Sequence, residues 1–87
     1  MKVFFDIDYK NHNIKVTNKS NDCSLVIDDV VVDTYKALIA ANFSLKGNIK
    51  VEKENIEIVF QLKNGFPRCK MQLSANGEQL AMKKMFL

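Results

Sequence analysis

Apolar and polar residues alternate along most of this chain, as in NIEIVF and NFSLKGNIKV, the period-two pattern of strands with one face buried. Hairpin register offers a check on where the strands turn. Residues directly opposed in an antiparallel pair share a face, so a correct turn matches apolar with apolar and polar with polar. Asn76-Gly77 is a favoured type I′ pair, because both central residues of that turn need φ > 0. Centred there, Leu73 opposes Leu80, Met71 opposes Met82 and, on the other face, Lys70 opposes Lys83. A second Asn-Gly, Asn64-Gly65, sets Phe60 against Cys69, Ile58 against Met71 and Ile56 against Leu73. Both turns put Met71 and Leu73 on one apolar face, with Glu57, Gln61, Arg68, Lys70 and Gln72 on the other. Together they predict a three-stranded meander over about 56–86.

The same matching extends backward. A loop at Glu52–Asn55 pairs Val51 with Ile56 and Ile49 with Ile58, and sets Lys50 against Glu57 outside. A loop at Lys10–Asn13 pairs Tyr9 with Ile14 and Ile7 with Val16, with Asp8 against Lys15. Opposed unlike charges are mildly stabilising. Leu25–Val32 is apolar except for Asp28-Asp29, a two-residue turn because Asp tolerates the left-handed region. That turn pairs Ile27 with Val30, Leu25 with Val32 and Val26 with Val31, so both faces of the hairpin are apolar. One face then belongs to a central strand pair or meets something else. Over 33–42 two readings stand: Asp33 caps a short helix with Leu38, Ile39 and Ala41 as its stripe, or the chain continues as strand or irregular structure. Gly47 is expected at a bend or bulge. The count is eight or nine short strands with short connections and no βαβ signal. The expected fold is all-β: a small antiparallel β-sandwich or flattened barrel, with 1–87 as a single domain.

Composition leaves this picture in place. With 87 residues, 47% hydrophobic and 26% charged, the chain has the balance of one folded domain rather than of a disordered one. No run approaches the roughly 20 apolar residues that span a bilayer, so no membrane contact is expected. Asp6 and Asp8 interrupt what would be the apolar region of a signal peptide, and a cytoplasmic location is the expectation. There Cys23 and Cys69 are expected as two thiols rather than a disulfide. Charge is uneven: residues 1–45 carry five Lys against six Asp, and residues 46–87 carry eight Lys or Arg against four Glu. A basic C-terminal half permits an anionic partner.

Candidate chemistry is sparse. A Ser or Cys nucleophile needs a base within hydrogen-bond reach, and the sole histidine, His12, lies in the polar stretch KNHN, where a solvated loop residue is expected. Cys69 falls on the proposed core face as a small inert hydrophobe, and Cys23 begins an apolar strand. No CxxC, HxH or EF-hand spacing occurs. Asp28, Asp29 and Asp33 are explained by turn and cap, and Asp6 and Asp8 share one strand face. Gly47, Gly65 and Gly77 are isolated, so no phosphate-cradling loop is formed. No catalytic residue, metal or cofactor is expected.

Two surfaces remain. Lys63, Arg68, Lys70 and Lys83 form a basic stripe on the meander that could meet an anion or a nucleic-acid backbone, although no base-stacking aromatic shares that face. Val26 and Val31 on the doubly apolar hairpin, with Met85 and Leu87 on the last strand, are candidates for contact with a protein partner, or with a second copy through an edge strand.

The stretches VIDDVVVDTYK, NFSLKGNIKV and CKMQLSANGEQL, in that order over roughly 25–80, resemble the C-terminal β domain of the Fas apoptotic inhibitory molecule family. Asp29 stands where that pattern has Gly, and the family's tryptophans have no counterpart here. The resemblance implies an antiparallel β-sandwich acting through protein contacts, and it carries over no catalytic residue. The leading expectation is therefore a non-enzymatic protein-interaction module, with anion or nucleic-acid binding through the basic stripe as the alternative.

Overall fold

The alternating segments form strands, and every connection among the described residues is a short turn. A computed structural model of the chain describes residues 1–36, 42–64 and 68–86. Among these the strands are β1 (Lys2–Tyr9), β2 (His12–Lys19), β3 (Asp22–Ile27), β4 (Val30–Lys36), β5 (Phe43–Val51), β6 (Glu54–Asn64), β7 (Arg68–Ala75) and β8 (Glu78–Phe86). They form two four-stranded antiparallel meanders, β1-β2-β3-β4 (sheet A) and β5-β6-β7-β8 (sheet B), packed as a sandwich rather than closed as a barrel. Lys10-Asn11, Asp28-Asp29 and Asn76-Gly77 all have positive φ at both loop residues, the type I′ geometry whose twist suits a two-residue hairpin.

The inner faces supply the core. Ile14, Val16, Cys23 and Leu25 of sheet A meet Leu45, Ile58, Phe60, Met71 and Leu73 of sheet B, all essentially buried. Phe60 sits at the centre, with Phe5 edge-on and Phe43 tilted, each at 6.1 Å between ring centroids. Tyr35 stacks flat on Phe43 at 4.2 Å, which closes the β4–β5 side of the sandwich. Gly47 is no bend: it lies in regular register opposite Ile58. A Cβ there would stand 2.7 Å from Val32 Cγ2 and 3.0 Å from Ile27 Cδ1, so the glycine is required by the close approach of the two sheets.

Faces follow the alternation, but partners often do not. Ile58 and Met71 share the buried face as expected, yet Ile58 opposes Ala75, Leu62 opposes Met71 and Phe60 opposes Leu73. The β5–β6 loop is Glu52-Lys53, so Ile49 meets Ile56, Lys50 meets Asn55 and Asn48 meets Glu57. The β1–β2 loop is Lys10-Asn11, so Ile7 meets Ile14 and Asp6, not Asp8, meets Lys15. These slips are by even numbers of residues, which preserve the face of every side chain. Sorting of apolar with apolar is blind to them.

Three bulges do change faces, and all lie on strands at a sheet edge, where an unpaired residue disrupts the least ladder. Phe4 is extra in β1, which lets Phe4 and Phe5 both be buried. Val32 is extra in β4, so Leu25 opposes Asp33 instead of Val32, while Ile27–Val30 and Val26–Val31 pair as expected. Leu80 is extra in β8, so Leu73 opposes Ala81, Met71 opposes Lys83 and Lys70 opposes Lys84, in place of the Leu80, Met82 and Lys83 partners. Strand β4 continues to Lys36, which removes a helix beginning at Asp33, and the remainder of that question, 37–41, lies outside the described residues. So does the turn at Gly65 and Phe66. No helix among the described residues is long and apolar enough to cross a membrane.

Candidate functional site

His12 opens β2 and is not the solvated loop residue expected. Its Nδ1 lies 2.6 Å from Asp28 Oδ2, and its Nε2 lies 3.2 Å from the Lys50 carbonyl oxygen. Asp28 Oδ1 also accepts the Asn13 backbone N–H at 2.9 Å. The ring thus ties two of the three hairpin turns of sheet A, at Lys10-Asn11 and Asp28-Asp29, to the end of β5 in sheet B. The hydrogen bond to Asp28, then that to the Lys50 carbonyl, raises the His12 pKa, while His12 and the Asn13 amide lower that of Asp28. A polar hollow of ≈ 590 Å³, lined by Asp8, Lys10, Asn11, His12, Asn13 and Asp28, opens beside it.

Neither thiol reaches this histidine. Cys23 pairs with Asn18, six residues along β2 from His12, or about 20 Å at strand rise. Burial pushes the Cys23 thiol up to about 12 and raises Cys69 as well, the environment of a packed hydrophobe rather than a nucleophile. Both cysteines are free and buried.

The aspartates that the sequence singles out have structural partners. Asn13 Nδ2 bridges Asp6 (2.9 Å) and Asp8 (3.1 Å), relieving two like charges on one face. Asp29 lies 3.8 Å from Lys15 Nζ. Asp33 accepts the Lys46 backbone N–H at 3.0 Å and its neighbour Thr34's at 2.9 Å, so a side chain of β4 caps an edge amide of β5. Among the described residues no three His, Cys, Asp or Glu side chains converge on a metal position.

Two exposed surfaces hold the remaining residues singled out from the sequence. On sheet A, Val30, Val31 and Val32 are 61%, 59% and 41% exposed. They lie on β4, an edge strand paired on one side by β3. Val26 stands directly opposite Val31, so the two residues singled out from the sequence do form one outward pair. Among the described residues the other flank of β4 has no ladder partner.

On sheet B the basic stripe exists with a different member. The Leu80 bulge turns Lys83 to the Met71 side, where its Nζ lies 5.5 Å from the Phe5 ring centroid, a cation–π contact at the sandwich margin. Lys84 takes its place. Lys63 opposes Lys70 and Lys70 opposes Lys84, so three exposed lysines stand abreast across β6, β7 and β8. Among the described residues none of them is ion-paired. Arg68 begins β7 opposite Phe86, and Met85 stands opposite Cys69. The side chains of Arg68 and Met85, and all of Leu87, lie outside the described residues. Beside Lys63, a shallow depression of ≈ 340 Å³ is lined by Asn42, Phe43, Ser44, Gln61 and Leu62.

Strict alternation sends Lys84 to the face opposite Lys83 unless the last strand bulges, and the Leu80 bulge, which leaves no compositional mark, meets that condition. Sequence reasoning missed the His12 clamp because the partners lie 16 and 38 residues away. No family model, no curated protein and no solved structure matches the chain.

Proposed function

We propose that the chain is a non-catalytic protein-interaction module that receives an extended segment of a partner along the open edge of β4. The observation that carries this is the run Val30–Val32, three consecutive exposed valines on an edge strand. An edge strand offers a row of unpaired backbone groups, and natural sheets ordinarily guard such a strand with lysine, proline or a cover. From Asp33 onward β5 covers this edge, through the Asp33–Lys46 hydrogen bond and the Tyr35–Phe43 stack, so the open stretch is Val30–Val32, guarded by the Val32 bulge alone and flanked by apolar, β-branched side chains. Strand addition draws affinity from main-chain hydrogen bonds and specificity from alternate side chains, which Val31 and its neighbour Val26 supply. The resemblance of residues 25–80 to a β domain that acts through protein contacts points the same way.

The test is capture from the native source with wild-type bait and with Val30→Lys and Val31→Lys baits. Both substitutions are on exposed positions, and each bait is first checked for an unchanged melting temperature. A protein retained by wild type and lost with both lysine variants is the expected result. Equal retention by all three baits refutes docking at β4. Sedimentation over a wide concentration range separates the homotypic case: association abolished by Val31→Lys makes the occupant a second copy.

A further inference from the structure

We infer that the outer face of β6–β8 binds the phosphate backbone of double-stranded nucleic acid through Lys63, Lys70 and Lys84, at a site separate from the β4 edge.

Three features of this face lead there. First, the three lysines are placed abreast by ladder register, at about 4.8 Å between neighbouring strands, so their Cα atoms span about 10 Å across the sheet. Like charges directly opposed destabilise a sheet, and this row opposes them twice. Second, among the described residues no carboxylate pairs with them. The register positions two residues from the row are Gln61 on β6, Arg68 and Gln72 on β7, and Met82 and Phe86 on β8, with Ser44 and Ser74 farther away, and the outward-facing Glu57 stands opposite Asn48 on β5, toward the far end of the strands. Lys46 and Lys50 on β5 extend the positive field across the same face. Third, hydroxyl and amide groups flank the lysines, and these donate to phosphate oxygens without reading bases.

The chemistry selects among polyanions. Single-strand binders pair a basic groove with aromatic platforms on which bases stack. The register places a single aromatic position, Phe86, two residues beyond Lys84 at the end of this face, too few for a platform on which successive bases stack, so the contact is to backbone charge, which a duplex presents at the highest density. An anionic membrane would call for apolar residues that insert between headgroups, and here the described face offers a single exposed methionine, Met82.

Salt dependence makes the inference quantitative. Three neutralised phosphates contribute about 2.7 to the slope of log K against log salt, which is about a 40-fold loss of affinity between about 50 and about 200 mM salt. The experiment titrates the whole chain with a random-sequence DNA duplex of about 20 base pairs over that salt range. It uses wild type, Lys70→Gln, the triple variant Lys63→Gln/Lys70→Gln/Lys84→Gln, and Lys19→Gln on sheet A as a control. Lys70→Gln is expected to reduce the slope by about 0.9 and the triple variant by about 2.7, with Lys19→Gln unchanged. Thermal melts of all four keep loss of folding apart from loss of binding. Val31→Lys retains duplex binding, which separates this face from the protein-docking edge. Failure of wild type to shift the duplex at the lowest salt overturns the inference. So does a triple variant that binds as wild type does, or tighter lysine-dependent binding to phosphatidylserine vesicles than to the duplex.

Discussion

The His12 ring faces an acceptor on each side, the Asp28 carboxylate and the Lys50 carbonyl, so both contacts are hydrogen bonds only while both ring nitrogens carry protons. Its pKa is raised above 6.5, first by the Asp28 hydrogen bond and then by the Lys50 carbonyl. A raised folded-state pKa stabilises fully below the unfolded value and loses that contribution as pH rises through the folded value. Asp28 runs the opposite way. Its carboxyl is held below 3.8, so its contribution is present above that value and lost as pH falls through the lower folded one. Asp8 and Lys10 also line the hollow beside the ring, with opposite charges. The clamp is therefore strongest at mildly acidic pH. Urea midpoints are expected to be higher at about pH 5.5 than at about pH 8.5, and His12→Gln should flatten that difference. An identical pH profile in the variant would show that the ring does not join the sheets energetically.

At the scale of strands, bulges and close approaches set what the alternation alone cannot. The Leu80 bulge exchanges Lys83 for Lys84 and so builds the lysine row. A row of opposed like charges costs stability, and reversing its central member relieves two contacts at once. Lys70→Glu is expected to raise stability, followed by urea denaturation, by roughly a few tenths of a kcal/mol while weakening duplex binding. The opposite signs of the two readouts would mark the row as kept for binding, whereas destabilisation by Lys70→Glu would show that the lysines support the sheet. Gly47 marks the other constraint. Its missing Cβ leaves room for Val32 and Ile27 where β4 crosses β5. Gly47→Val forces overpacking and is expected to cost about 1–3 kcal/mol in chemical denaturation. A neutral result would mean that the β4–β5 side opens without penalty.

Over the whole molecule, the charge boundary read from the sequence coincides with the boundary between sheets. Residues 37–45 carry no charge. The acidic half is sheet A and the basic half is sheet B. The sandwich is thus electrically two-sided, with an apolar open edge on its acidic sheet and a lysine row on its basic one. Alternation determined the strands and most of the buried set, and turn-forming residues determined the Asp28-Asp29 and Asn76-Gly77 turns; Met82, expected inside opposite Met71, is turned outward by the Leu80 bulge. Ile58 and Met71 share a face because the pleat allows a side chain two directions and water decides between them. Those are local matters, settled within a few residues. The even slips of the hairpins, the bulges at Phe4, Val32 and Leu80, and the reach of His12 to Asp28 and Lys50 were decided by tertiary structure. Packing one sheet on another selects among registers that bury the same residues, and the differences between them lie in contacts between segments that the chain order keeps far apart.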